Sequence, residues 1–288
     1  RYCTIRVIEV APFIHQRYKY SDKIAMNGVL AENCGIRRAR GQFILPCMTD
    51  LLYPDELMAF IASKKLEKNK RYRVDRCNVD RNVLQRDTLK ERLKYCKQNI
   101  IKIHSYQPHY GREGLPSLHT DAAGDFQLMS RDFWHLLRGY READFGLTYI
   151  DGFLSYASYA AGVKEVVLKN PICVYHIDHA SGFADWIKVY RPPFEKLLSF
   201  FFNPIRPFLP IAISKKIVFL YQKIIAKRSK SYAYGIPILG YIEYLNLSRD
   251  IISGKRSYIF NDENWGLGKE KLPEFVIKKA EWDRDKYN

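Results

Sequence analysis

Four short stretches carry residue types able to do chemistry. Met48-Thr49-Asp50 sets a carboxylate just past an apolar run, Phe43-Ile44-Leu45. The carboxyl end of a strand is where open α/β sheets bind ligands. A carboxylate there can hold a divalent cation, and an acidic loop residue also caps turns; both readings stand. Ile150-Asp151 opens an apolar segment that ends before Gly162 and reads as a helix. An alcohol nucleophile needs a carboxylate within hydrogen-bond reach of its proton, and a helix N-terminus keeps that carboxylate ionised. Asp is equally a common cap, so base and cap both remain open for Asp151. Tyr175-His176-Ile177-Asp178-His179 reads as a strand end. Alternation sends His176 and Asp178 to one face and Tyr175, Ile177 and His179 to the other, unless His179 already lies in a loop. Histidines so spaced ligate metals or serve structure. Last, Trp265 sits in an acidic, Gly-containing loop, Asn261 to Gly268, where its indole can stack on a sugar or pin the tail to the core.

The elements that must position these groups follow from local signals. Ala31, Gly35, Ala39 and Gly41 are small residues on a helix expected from Asp22 to Ala39, with Ser21 or Asp22 as cap and Gly41 at C′. Pro46 ends the strand that follows. Pro54, Asp55 and Glu56 form a helix first turn. Tyr72 to Arg76 alternates as a strand, and Asp87 to Asn99 is an amphipathic helix. A strand over Asp125 to Met129, a helix over Asp132 to Leu137, a turn at Arg138-Gly139-Tyr140 and short strands at 166–168 and 172–179 complete the central part. Thr4 to Val10 reads as an early strand. Because the chain opens on Arg1 with that strand at hand, residues are expected to be missing upstream.

With 288 residues, 47% hydrophobic and 14% aromatic, the chain can bury a large core. A net charge of +16 and a pI near 9.5 favour phosphates, acidic polysaccharide or an anionic membrane as partners. No P-loop, zinc finger or aromatic-basic RNA motif accompanies the charge, so nucleic acid is the disfavoured partner. Six scattered cysteines without paired spacing point to a reducing compartment.

In order and spacing, the small-residue helix, the strand with its Asp50 turn, the Gly139 turn and Asp151 resemble nucleotide-sugar glycosyltransferases of the GT-A type, in particular family-two-like bacterial enzymes. The likeness covers about Thr4 to His179. It implies an α/β fold: a GT-A-like, Rossmann-related mixed sheet flanked by helices, with a basic helical C-terminal appendage. It implies a divalent metal, manganese or magnesium, held by Asp50 and His176 against a nucleotide-sugar donor, with Thr49 and Arg131 on the phosphate side. It assigns Asp121, Gly124 and Asp125, with Trp265, to the sugar or acceptor side, and Asp151 to the general base. Two positions depart from the pattern: Met48 stands where the first acid of Asp-x-Asp is usual, and Ile150 where an acid precedes the base. The function implied is inverting, metal-dependent transfer of a sugar to a hydroxyl of a glycan or lipid-linked acceptor; the alternative is an inactive GT-A-like protein that binds acidic glycan or membrane.

The expected divisions are 1–185 as the catalytic domain, 186–257 as the basic appendage and 258–288 as a segment returning to the catalytic domain. Prolines 204, 207 and 210 break the aromatic run around Phe200-Phe201-Phe202. Beyond them Ser214 is expected to cap a helix with Ile217, Val218, Leu220, Tyr221, Ile224 and Ile225 as its apolar stripe among lysines. Such a helix lies on an anionic bilayer or packs on the domain with snorkelling lysines. The expected location is cytoplasmic, either free or, where the helix lies on lipid, peripheral on the inner face of the cell membrane.

Overall fold

The computed structural model describes residues 4–106, 112, 114–142, 148–179, 187–190, 200–201, 204–226 and 230–277. Parts of the stretches 105–117 and 141–148, and the whole of Lys278 to Asn288, lie outside these residues.

The chain forms a mixed α/β fold around a six-stranded sheet. Its path runs β2 (Phe43–Ile44), β6 (Leu128–Ser130), β4 (Lys70–Val79), β7 (Lys164–Ile177) and β3 (Leu51–Leu52), with β5 (Ile100–His104) also paired to β4. Strands β4 and β7 run parallel, from Lys70 opposite Lys164 to Val79 opposite Ile177. β6 is antiparallel to both β2 and β4, so β2, β4 and β7 share one direction. Their carboxyl ends therefore lie on one side of the molecule, where such sheets place ligands. The two strands expected at 166–168 and 172–179 are one strand. A register shift lets it continue, Val74 facing Leu168 while the next residue, Asp75, faces Cys173.

Helices cover the sheet, and their starts follow local chemistry. α1 (Gly28–Arg38) begins later than its periodicity suggested, because Asn27 caps it: its Oδ1 accepts from the Leu30 N–H at 3.1 Å. Gly41 is not a left-handed C′ residue; the C-cap is Ala39 in extended conformation. α2 (Asp55–Ala62) starts after Pro54 with Asp55 and Glu56 in its first turn, and α3 (Leu89–Gln98) carries a capping box of Thr88 and Glu91. α4 (Arg131–Leu137) ends at Arg138 and Gly139, both left-handed. A Cβ on Gly139 would stand 2.3 Å from Asn33 Oδ1, so only glycine fits there. α5 is Ile150–Ala160.

Trp134, Met129, Ile44, Leu154 and Trp265 share one core cluster. β1 (Ile5–Ile8), read as an early strand, does not enter the main sheet; it pairs antiparallel with β11 (Glu274–Ile277). β8 (Ile187–Tyr190), β9 (Lys230–Ala233) and β10 (Ile236–Ile238) form a separate antiparallel sheet. α6 (Ile211–Ala226) starts after Pro210, which makes Ser214 an interior residue rather than its cap. It packs on α7 (Tyr241–Ile252), which packs in turn on α5 through Tyr244 and Leu245 against Phe153 and Tyr156. The five described cysteines, Cys34, Cys47, Cys77, Cys96 and Cys173, are free thiols.

Candidate functional site

The short strand β3 fastens Asp50 to the end of β7. Leu51 and Leu52 pair with His176 and Tyr175, and the Ile177 N–H donates to the Asp50 carbonyl at 2.9 Å. The Asp50 carboxylate is thereby turned onto two imidazoles. Its Oδ2 lies 3.1 Å from His176 Nε2 and 2.9 Å from His179 Nε2, with the two ring centroids 5.2 Å apart. The ligand atoms of the three residues lie within 4.8 Å of one another, a group that can hold a metal ion. Asp50 Oδ1 and His176 Nδ1 are buried without a hydrogen-bond partner, a cost normally offset by some further ligand. One carboxylate and two imidazoles suit a divalent transition metal, so the donor set fits. Burial pushes the His176 pKa down, against the opposing pull of Asp125, and the neutral ring keeps the lone pair that ligation requires.

A second set of polar groups stands beside this centre. Arg76 on β4 donates to Asp125 Oδ2 at 3.2 Å and contacts His104 Nε2 at 3.2 Å; His104 Nδ1 in turn lies 3.2 Å from Asp121 Oδ2. Burial raises the Asp125 pKa, countered chiefly by the charge of Arg76. Asp125 is not in a strand; it ends a 3₁₀ turn, Ala123–Asp125, ahead of β6. That segment is moulded by Arg73, fully buried on β4. Its guanidinium donates to the carbonyls of His119 and Ala123 at 3.1 Å, Asp121 at 3.1 Å, Ala122 at 3.2 Å, and Phe126. Burial, reinforced by Arg71, pushes Arg73 down to about 10, still a cation at neutral pH.

Asp151 is the second residue of α5, and it does not cap the helix. The N-cap is Tyr149, left-handed at φ 61°, with no side-chain cap bond. The Asp151 carbonyl accepts from Gln127 Nε2 at 3.2 Å and Ser155 Oγ at 3.0 Å, while its carboxylate faces Gly124. Burial, together with the charge of Asp151, raises Glu32 of α1 to about 7. Tyr149 stacks on Tyr244 at 5.1 Å and tilts against Tyr241 at 5.5 Å; Tyr149 and Tyr241 both keep an exposed face.

Asp50 and His176 thus meet, and Asp121, Gly124 and Asp125 share the Arg73-held segment next to them. Thr49 is exposed in the Asp50 turn, and Met48 stands half-exposed beside it. Two of the expected site residues stand apart from this group. Arg131 lies at the far end of the sheet, because β6 is antiparallel to β2: its N–H donates to the Gln42 carbonyl and its guanidinium to that of Arg40, both ahead of β2. Trp265 is the second of them. It is 4% exposed, edge-on to His135 at 5.4 Å and beneath the Arg37 guanidinium, so it pins the tail to the core. Sequence reasoning missed His179 as a partner of Asp50, because β7 ends at Ile177 and alternation stops there. The His-x-x-His spacing was the available signal. Arg76, His104 and Glu32 carried no local signal, since strand and helix pairing alone brings them in. Asp178 stays outside the cluster, 3.4 Å from Asn78 Nδ2.

No protein-family model matches this chain, and no curated protein matches its sequence.

Proposed function

We propose that this protein is a divalent-metal-dependent, inverting glycosyltransferase that moves a sugar from a nucleotide-sugar donor to a hydroxyl of a glycan or lipid-linked acceptor. The observation that carries the reading is the meeting of Asp50, His176 and His179 at the carboxyl ends of β4 and β7, joined to Asp151 through the Gly124-Asp125 dipeptide. Three parallel strands with an acid-bearing turn at their carboxyl ends support a GT-A-like fold.

Asp50, His176 and His179 would hold the cation, and two imidazoles in the donor set favour manganese over magnesium. A cation bound there supplies charge neutralisation for the departing diphosphate. Asp151 takes the proton of the acceptor hydroxyl as its oxygen attacks the anomeric carbon. The carbon–oxygen bond to the diphosphate breaks, the diphosphate leaves with the electron pair, and attack from the opposite face inverts the centre. Arg76, whose Nε is buried without a partner, adds positive charge near the donor. The exposed faces of Tyr149 and Tyr241 give an acceptor ring an apolar platform beside Asp151.

A second reading, an inactive binding protein of the same fold, is favoured by Met48, a thioether where a second carboxylate would strengthen a hard-cation site. Thermal shift with UDP, GDP and their sugar conjugates, with and without manganese, separates the two when read beside donor hydrolysis. Stabilisation that needs both manganese and Asp50, accompanied by slow donor hydrolysis, supports the enzyme. No shift with any nucleotide and no donor hydrolysis overturns the enzyme, and the binding protein is then supported by retention on acidic glycan or anionic vesicles and overturned by its absence.

A further inference from the structure

We propose that α6 docks on the surface of an anionic phospholipid bilayer through an apolar stripe that the protein leaves uncovered. The inference does not depend on the catalytic reading. One face of α6 is already used: Gln222 is buried and accepts from Arg249 of α7 at 2.8 Å, and the Phe219 ring lies 5.0 Å under the same guanidinium. On the opposite side Ile213, Ile217, Leu220 and Ile224 recur at i, i+4, i+7 and i+11, which is one continuous line along a helix. All four are exposed, Leu220 by 60%, and Phe208 just ahead of the helix is 86% exposed. An apolar surface of this extent, left in water, marks a contact site.

Charge identifies the occupant. From Lys196 to Ile242 the sequence has eight Lys and Arg and no Asp or Glu. Lys215 and Lys216 on α6 are exposed. A second copy of this chain would bring the same positive charge to a two-fold contact and be repelled. Anionic headgroups neutralise it, at about 1 kcal/mol per basic residue near the surface. Nucleic acid would answer the charge but leave the stripe in water. α6 has 16 residues, about 24 Å at 1.5 Å each, short of the ~30 Å hydrocarbon core. Among the described residues no helix is long and apolar enough to cross a membrane. The helix therefore lies in the interface plane, stripe inward and Lys216 at its flank at headgroup level.

The test is co-sedimentation of the full chain with vesicles of phosphatidylcholine alone and of phosphatidylcholine with phosphatidylglycerol, about 3:1. The expected result is binding to the mixed vesicles at least about tenfold tighter than to the neutral ones. Leu220→Glu with Ile224→Glu should lose that binding by about tenfold or more, and Lys216→Glu, at the flank of the stripe, should lose part of the preference for anionic lipid. Circular dichroism checks that the variants fold. Should the stripe variant misfold, the wild-type chain decides by itself: its binding must weaken as salt rises from about 0.1 M to about 0.5 M. Equal binding to both vesicles, a folded stripe variant that binds as well as the wild type, or a lipid-free dimer lost in that variant without any vesicle binding each overturn the proposal.

Discussion

Asp151 Oδ2 lies 3.3 Å from the point where a Cβ on Gly124 would stand, so the carboxylate rests on the bare backbone of the turn whose next residue is Asp125. A methyl group at that point displaces the carboxylate by a few tenths of an ångström. Gly124→Ala is expected to lower the proposed transfer about tenfold or more with little change in thermal stability. Asp151→Asn is expected to lower kcat by about 10²–10⁴-fold while nucleotide and metal binding persist. Parallel measurement of transfer and of manganese-dependent nucleotide binding checks both, and an active Asp151→Asn variant removes the assigned base.

Metal affinity tests the cluster directly. His179→Ala and Asp50→Asn are each expected to weaken manganese binding by about tenfold or more in calorimetry of the purified chain, while His104→Ala changes it little. Lowering the pH should also weaken binding, because protons compete with the metal for the two imidazoles. His176, held down by burial, is protonated later than an ordinary histidine as the pH falls. Unchanged affinity in His179→Ala would remove that residue from the ligand set.

Arg73 donates every one of its carbonyl bonds from a fully buried position. Arg73→Met leaves a row of backbone carbonyls buried without donors and is expected to cost about 3–5 kcal/mol in urea unfolding. Arg73→Lys keeps the charge but not the planar fork, and should recover only part of that loss.

Trp265 separates a structural role from a binding one. Trp265→Ala should destabilise the fold by about 3–5 kcal/mol through lost packing on Trp134 and His135, with manganese affinity unchanged in the fraction that folds. A stable variant with impaired ligand binding would reverse the assignment.

Glu32 makes stability fall with rising pH. Its pKa is about 7 in the folded chain against an ordinary 4.5, so between those values the folded state holds more protons than the unfolded one. Stability contributed by the neutral carboxyl is full at the acidic end and is lost as the pH climbs to about 7. Glu32→Gln should match the wild type near about pH 5 and exceed it by about 1–3 kcal/mol near about pH 8 in urea unfolding. A constant gap at both pH values would show that the carboxyl does not titrate in this range.

Much of the local structure was legible from the residues alone. Pro54 with Asp55 and Glu56 marks a helix start, Pro46 ends β2, Gly139 fills a left-handed turn, and the apolar run after Ile150 is a helix. Each signal acts over a few residues, through φ restriction, capping or periodicity, and needs no partner from elsewhere in the chain. Asp50, Asp151 and His176 were visible as candidates for the same reason: a carboxylate past a strand, a carboxylate at a helix start, a histidine at a strand end.

Which groups meet was decided by long-range pairing. The antiparallel register of β3 on β7 puts Asp50 against His176, and the end of β7 at Ile177 frees the chain to bring His179 to the same carboxylate. The reversed direction of β6 carries Arg131 away from that end of the sheet. β1 pairs with β11 from the other end of the chain, and Trp265 is drawn into the core by α1 and α4. The sequence determined the elements and the chemistry each could offer, because those depend on neighbours along the chain. Register, strand direction and burial depend on contacts between distant segments, and only the tertiary structure selected from the candidate residues the few that stand together.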